Sequence, residues 1–362
     1  MCAPGGVLVA SYTSMMLERR KIVEMWRRGD AVALVTLVRV EGSSYRRVGA
    51  RLMVGRDGGY VGSISGGCLE AEVVRKAAWM VREGAVVETY STLFDDTAEI
   101  PYGLGCGGTV DLLVEPAGTA EFAAVMEAME ASLQGATRRV VTELPADGRG
   151  LRRWVSGEDE DVVDAEGPVF EEWLVAPQRL WVFGAGDDAQ PMVEMASLLG
   201  WNVTVVDGRA QWARTERFAK AERVVVRAAA DGIAGLGVSA SDAVVVMTHS
   251  YEQDRAWLAG LLPLRVKYLG LLGARHRSAL LVSEAAAMLG WSVEEACEGL
   301  FAPVGLDLGG DGAEAIALAV IAEMQACVEG KIGVSRRMNA EVVGEQIAKG
   351  GASRYLQAQC AL

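Results

Sequence analysis

Apolar and polar positions alternate with different rhythms along this chain, and the change of rhythm divides it in two. Over Ser14–Arg28, Ile22 and Trp26 fall four apart on one face and Gly29-Asp30 follows as a stop, so the spacing predicts a helix. Val32–Val40 is apolar almost throughout and reads as a strand. Arg51–Val54 reads as another, turned by Asp57-Gly58-Gly59 into Tyr60–Ile64. A helix over Leu69–Glu83, strands over Val86–Ser91 and Val110–Val114, and a helix over Glu121–Leu133 complete a mixed α/β half with several glycine-rich turns. From Pro145 to Pro177 the pattern weakens around the acidic run Glu158-Asp159-Glu160-Asp161, flanked by Gly157 and Gly167, and reads as a solvated loop or hairpin.

After Gln178 the rhythm becomes strand, helix, strand. Leu180–Phe183, Val203–Val206, Val224–Val226, Ala243–Met247 and Lys267–Leu272 read as strands. Gln190–Leu199, Glu252–Leu262, Ser278–Leu289 and Ala315–Val328 read as helices. This alternation implies a parallel sheet with helices on its faces. The predicted fold is therefore α/β: an N-terminal mixed α/β domain over 14–145, a linker over 146–177, a C-terminal Rossmann-like domain over 178–330 and a tail over 331–362.

Composition narrows the function classes. With 362 residues, 51% apolar and 23% charged, the chain is an ordinary globular one with ample core. A formal net charge of −13 disfavours nucleic acid as a partner. No apolar run reaches the roughly 18 residues of a membrane span, and Val7–Ala10 lacks the preceding basic residue of a secretory signal. The six cysteines are scattered without a CxxC, which suggests free thiols in a reducing, cytoplasmic setting. Only His249 and His276 are histidines, so a His-rich zinc site is not expected.

The most specific motif of the second half is Gly184-Ala185-Gly186-Asp187-Asp188-Ala189, a G-x-G-x-x-A loop between a predicted strand and helix, with Asp207 ending the next strand. In such a loop Gly184 permits the tight turn, Gly186 lets the backbone approach a pyrophosphate, and Asp207 can accept a bond from a ribose hydroxyl. Asp187 and Asp188 would repel a phosphate, although carboxylates also suit an empty helix N-terminus. His249 follows a strand end and is a candidate to face a ligand, whereas His276 reads as a surface residue. Asp311 and Glu314 have the spacing of a capping box ahead of the last helix.

The first half holds two cysteine–glycine turns. Ser63-Ile64-Ser65-Gly66-Gly67-Cys68-Leu69-Glu70 runs from a strand into a helix, where backbone N–H groups can cradle an anion and a thiol pKa is lowered. Pro101-Tyr102-Gly103-Leu104-Gly105-Cys106-Gly107-Gly108 surrounds its cysteine with glycines that leave the sulfur accessible. Either cysteine alone also suits a buried small hydrophobe. Together, Ser65, Gly66, Gly67, Cys68, Gly105, Cys106 and Gly107 suggest a ligand site, with Cys68 and Cys106 as soft-metal ligands. Arg46, Arg47 and Arg51 in a third turn are candidates to hold a phosphate.

These segments together resemble the XdhC/CoxI family over roughly residues 15 to 330. The matches are GSISGGCLE at Gly62–Glu70, PYGLGCGG at Pro101–Gly108, GAGDDA from Gly184, VVDGR at Val205–Arg209, THSYEQD from Thr248, LGLLGAR from Leu269 and PVGLDLGG from Pro303. Asp187 stands where a histidine is usual, Ala274 where a serine is usual, and Tyr45 and Val48 where two prolines are usual. Gly312, Ala313, Glu314 and Ala315 stand where a threonine-proline and two glutamates are usual. The resemblance implies an accessory protein that binds the molybdopterin-type molybdenum cofactor, protects it, assists its sulfuration and inserts it into a xanthine dehydrogenase-type hydroxylase. It implies a homodimer whose partners are the hydroxylase apoenzyme and a cysteine desulfurase, with a nucleotide such as NAD(P) possible in the Rossmann domain. An NAD(P)-dependent oxidoreductase is the alternative that the glycine loop and Asp207 leave open. A nucleotidyltransferase fits the acidic loop poorly.

Overall fold

The computed structural model describes residues 7–10, 15–67, 69–91, 108–145, 150–157 and 164–333. They fall into two compact units that meet in sequence at Ala176 and Pro177.

The first unit contains β1 (Val7–Ala10), α1 (Met16–Arg27), β2 (Ala31–Glu41), β3 (Arg51–Gly55), β4 (Tyr60–Gly62), α2 (Glu70–Met80), β5 (Val86–Ser91) and β6 (Thr109–Pro116). It continues with α3 (Ala120–Leu133), β7 (Arg138–Glu143), β8 (Arg152–Ser156) and β9 (Val169–Leu174). An antiparallel sheet runs in the order β4-β3-β2-β6-β5. Strand β2 is apolar almost throughout because both its faces are covered. Ala33, Val35 and Leu37 pack with Val73 and Ala77 of α2, while Leu34 packs with α1 and α3 through Ile22, Phe122 and Met126.

A second sheet, β1-β9-β7-β8, occupies much of the stretch expected to be a linker. The charged residues that weaken the hydrophobic pattern there are paired, while Val169, Phe170 and Leu174 of β9 are buried. Arg153 makes a buried two-pronged pair with Glu115 at 2.9 and 3.1 Å, and Arg139 meets Glu171 at 2.8 Å. The acidic run 158–161 lies outside the described residues.

The second unit holds β10 (Arg179–Phe183), α4 (Ala189–Leu198), β11 (Asn202–Asp207), β12 (Arg223–Val226), β13 (Ala243–Val246), α5 (Tyr251–Leu261) and β14 (Tyr268–Leu271). It ends with α6 (Arg275–Leu289), α7 (Val293–Cys297), β15 (Leu300–Phe301) and α8 (Ala313–Val328). All six strands are parallel, in the order β12-β11-β10-β13-β14-β15. Leu180 and Val182 pack on one side, with α4 and α8, and Trp181 and Phe183 on the other, with α5 and α6. Burial on both faces is why these strands read as unbroken apolar runs. The chain order reverses between β10 and β13, so the ligand crevice of this fold class lies beyond their carboxyl ends.

The last helix starts differently from expectation. Its N-cap is Gly312, and Asp311 accepts the Gly312 N–H at 2.9 Å instead of sharing a capping box with Glu314. Gly309, Gly310 and Gly312 all have positive φ and carry the chain past the position where Asp311 would cap. The reciprocal box forms at Ser292 and Glu295 of α7, an element missing from the sequence reading.

Candidate functional site

In the second unit the glycine loop sits at the switch point, built as its sequence suggests. Gly184 has φ 130°, and a Cβ there would stand 2.4 Å from the Met247 carbonyl oxygen, so only glycine fits. Asp207 closes the loop from below. One of its oxygens accepts the Ala185 N–H at 2.8 Å, and Arg209 grips both oxygens at 2.9 and 2.7 Å. Burial pushes the Asp207 carboxyl up, but the bonds from Arg209 and Ala185 outweigh it and hold the group below its ordinary value. The expected ribose acceptor is therefore committed to the protein in this structure: its two oxygens serve the loop and Arg209, and the residue is 1% exposed.

Each loop aspartate has a side-chain partner, which the sequence reading missed. Asp187 meets Arg217 at 2.6 Å. Arg217 also donates to the Ala185 and Trp212 carbonyls and lies over the Trp212 ring, which Arg209 flanks as well. Asp188 meets His249 Nε2 at 2.7 Å. His249 has φ 62°, a left-handed conformation uncommon for a non-glycine residue. Behind it Thr248 donates to the buried Asp254, whose other oxygen takes Arg277 at 2.6 Å. The fold thus brings Gly184, Gly186, Asp207 and His249 together, and His276 is exposed as expected.

In the first unit the turn after β4 is organised by a residue that sequence reasoning left unused. The Glu70 carboxylate folds back into the turn. One oxygen accepts Ile64, Ser65 and Gly66 N–H at 3.0, 2.9 and 3.2 Å and the Ser63 hydroxyl at 2.8 Å. The other takes Gly67 N–H at 2.9 Å and the Ser65 hydroxyl. Burial opposes this charge, but the Ser65 and Ser63 bonds win and bring the Glu70 pKa down to about 2. The anion that fills the Ser65–Gly67 cradle is the protein's own, which corrects the expectation that these N–H groups await a ligand phosphate. Arg46 is likewise engaged, with Glu18 of α1, and Arg51 is buried against Glu172. Arg47 is the exposed cation of that turn and has no side-chain partner among the described residues.

Three turns meet at one end of the five-stranded sheet. A Cβ on Gly66 would stand 3.6 Å from that of Tyr45, and one on Gly108 would stand 2.4 Å from the Ser43 carbonyl oxygen. Glu41 pairs with Thr109, which pairs with Ser91, so the chain leaves β5 and re-enters β6 at this same end. Cys68, Gly105, Cys106 and Gly107 lie outside the described residues, which reach Gly67 and Leu69 on one side and Gly108 on the other. Among the described residues no group of three or more His, Cys, Asp or Glu is arranged to hold a metal ion, and Cys297 and Cys327 are free thiols. The small cavity beside Glu18, Arg19 and Arg51, about 20 Å³, has room for one water and no larger ligand.

A six-stranded parallel Rossmann unit following a mixed α/β unit, each with glycine-rich turns at a sheet end, defines a two-unit α/β protein. The chain belongs to the XdhC/CoxI family: residues 25–91 match the XdhC and CoxI family and residues 180–324 match the XdhC Rossmann domain. It is 25% identical to a Bacillus subtilis (strain 168) protein described as a probable xanthine dehydrogenase subunit, over 82% of this chain and 92% of that one. It is 26% identical to the molybdenum cofactor insertion chaperone PaoD of Escherichia coli (strain K12), over 84% and 86% of the two chains. A crystal structure of a Bacillus halodurans protein described as a xanthine dehydrogenase superposes with a TM-score of 0.74 at 25% identity, covering 90% of this chain and 99% of the other. No helix among the described residues is long and apolar enough to cross a membrane.

Proposed function

We propose that this protein carries the molybdenum cofactor, protects it, assists its sulfuration and inserts it into a xanthine dehydrogenase-type hydroxylase. The observation that carries this reading is the convergence of the Ser43–Tyr45, Ser63–Gly67 and Gly108 turns at one sheet end, the latter two lying next to Cys68 and Cys106 in sequence. Thiolates suit a soft metal bound through sulfur. Ser43, Tyr45 and exposed Arg47 supply polar and cationic groups at this sheet end for the pterin and its phosphate. The similarity to a molybdenum cofactor insertion chaperone supports the same reading. The hydroxylase apoenzyme and a cysteine desulfurase are the partners this function requires, and a homodimer is the working assembly.

The test is co-expression with a molybdenum hydroxylase, followed by assay of bound molybdopterin and of hydroxylase activation. Both are expected for the native chain and lost in a Cys68→Ala, Cys106→Ala double variant. Unchanged pterin binding in that variant would overturn the thiolate role. One observation favours a second reading, an NAD(P)-dependent oxidoreductase: the His249–Asp188 pair beside the glycine loop is a credible acid–base group. Hydride transfer from NADH or NADPH to a carbonyl substrate would favour it.

A further inference from the structure

Of the chain's nine tryptophans, eight are buried or half-buried and Trp79 of α2 is 65% exposed. Helix α2 turns Val73 and Ala77 towards the five-stranded sheet. Its exposed positions are Ala71, Arg75, Ala78 and Trp79, followed by Arg82 in the single helical turn Val81–Glu83 that continues it. Steps of three and four residues set these side chains on one stripe about 16 Å long.

The stripe is cationic on a chain whose formal net charge is −13. Neither Arg75 nor Arg82 has a side-chain partner among the described residues. The acids of α2 are engaged off the stripe, Glu70 in its own turn and Glu72 with Lys76. Glu83 comes next after Arg82, off this face, and makes no ion pair with it among the described residues. Elsewhere arginine covers tryptophan: Arg27 lies over Trp26, Arg152 over Trp154 and Arg265 over Trp291. Among the described residues no cation lies over the Trp79 ring.

We propose that this stripe is a docking surface for an acidic protein, which takes Trp79 into an apolar recess and sets carboxylates against Arg75 and Arg82. Tryptophan and arginine are the residues that most often dominate an interface, and their complement must be both apolar and anionic. A two-fold pairing of the stripe with itself about its midpoint would put Arg75 against Arg82 of the other copy, so a second copy is a poor occupant. The large negative charge of the whole chain opposes approach to anionic lipid or nucleic acid. Because α2 begins just after Cys68 and Leu69, a partner seated on it engages the helix that follows the Ser63–Gly67 turn. This rests on the carrier reading above, in which that partner is the hydroxylase apoenzyme.

Calorimetric titration of the full chain into purified hydroxylase apoenzyme at several salt concentrations reads the affinity and its electrostatic share. Native binding is expected to weaken as salt rises. Trp79→Ala is expected to weaken it roughly 30-fold. Arg75→Glu with Arg82→Glu is expected to weaken it roughly tenfold and to remove the salt dependence. All three side chains are exposed, so the circular dichroism and the molybdopterin content of both variants are expected to stay native. Undiminished affinity in either variant overturns the inference, as does a native chain that carries molybdopterin and does not bind the apoenzyme. So does a native dimer that either variant converts to monomer, which would seat a second copy on the stripe. Sedimentation with phosphatidylserine vesicles that either variant abolishes would overturn it in favour of a membrane. Variant-sensitive docking by a chain that carries no molybdopterin would overturn the carrier reading alone.

Discussion

At the residue scale the most consequential group is Glu70, which looks in sequence like an ordinary first-turn acid of a helix. Sequence spacing shows it one turn after a Ser/Gly run, but only the backbone path shows the chain wrapping around its carboxylate. Its folded pKa of about 2 lies below the ordinary 4.5, so its stabilisation is fully present above that ordinary value and is lost as pH falls from 4.5 towards 2. Glu70→Gln keeps the shape but turns an amide against N–H donors and is expected to cost about 1.5–3 kcal/mol at neutral pH. Urea unfolding from neutral pH to below pH 3 checks this: the gap between the two proteins should close on acidification. A gap that stays constant with pH would mean the charge is not what holds the turn. Gly184 was legible because it stands in a motif of local spacing; Arg217 was not, because it lies far from Asp187 in sequence.

At the element scale the surprise is the pair β8 and β9. β8 is mostly charged or polar, and β9 sets Glu171 and Glu172 between its apolar residues, so neither reads as an apolar strand. Arg153 also donates to the Thr142 hydroxyl and the Glu121 carbonyl, tying β8 to β7 and α3. Arg153→Ala would strand the fully buried Glu115 carboxylate and should cost about 3–5 kcal/mol in urea unfolding. Replacing both with leucine should recover most of that loss, because it is the unpaired charge that is expensive. A single variant as stable as the native chain would contradict the assignment of β8 to the first unit's core.

At the scale of the whole molecule, the second unit carries two cores of its own, one on each face of its sheet, drawn entirely from residues between Leu180 and Cys327. A fragment over Pro177–Gly333 is therefore expected to fold alone, with a dispersed amide spectrum and a cooperative thermal transition. A collapsed spectrum would show that these cores do not suffice. The strand–helix alternation made this unit legible in advance, down to the parallel sheet and the glycine loop between a strand and a helix; the strand order that sets this loop at the switch point comes from the structure.

The sequence by itself determined the two α/β units, the glycine loop and the family, because period, turn chemistry and motif spacing are local properties. Tertiary structure alone decided which charges meet. It placed Arg217 on Asp187, His249 on Asp188, Arg209 on Asp207 and Glu70 in its own cradle. The partners of Asp187 and Asp188 are 30 and 61 residues away in the chain, and Coulomb energy depends on distance in space, so no reading along the chain fixes whether an acidic loop repels a phosphate or accepts one.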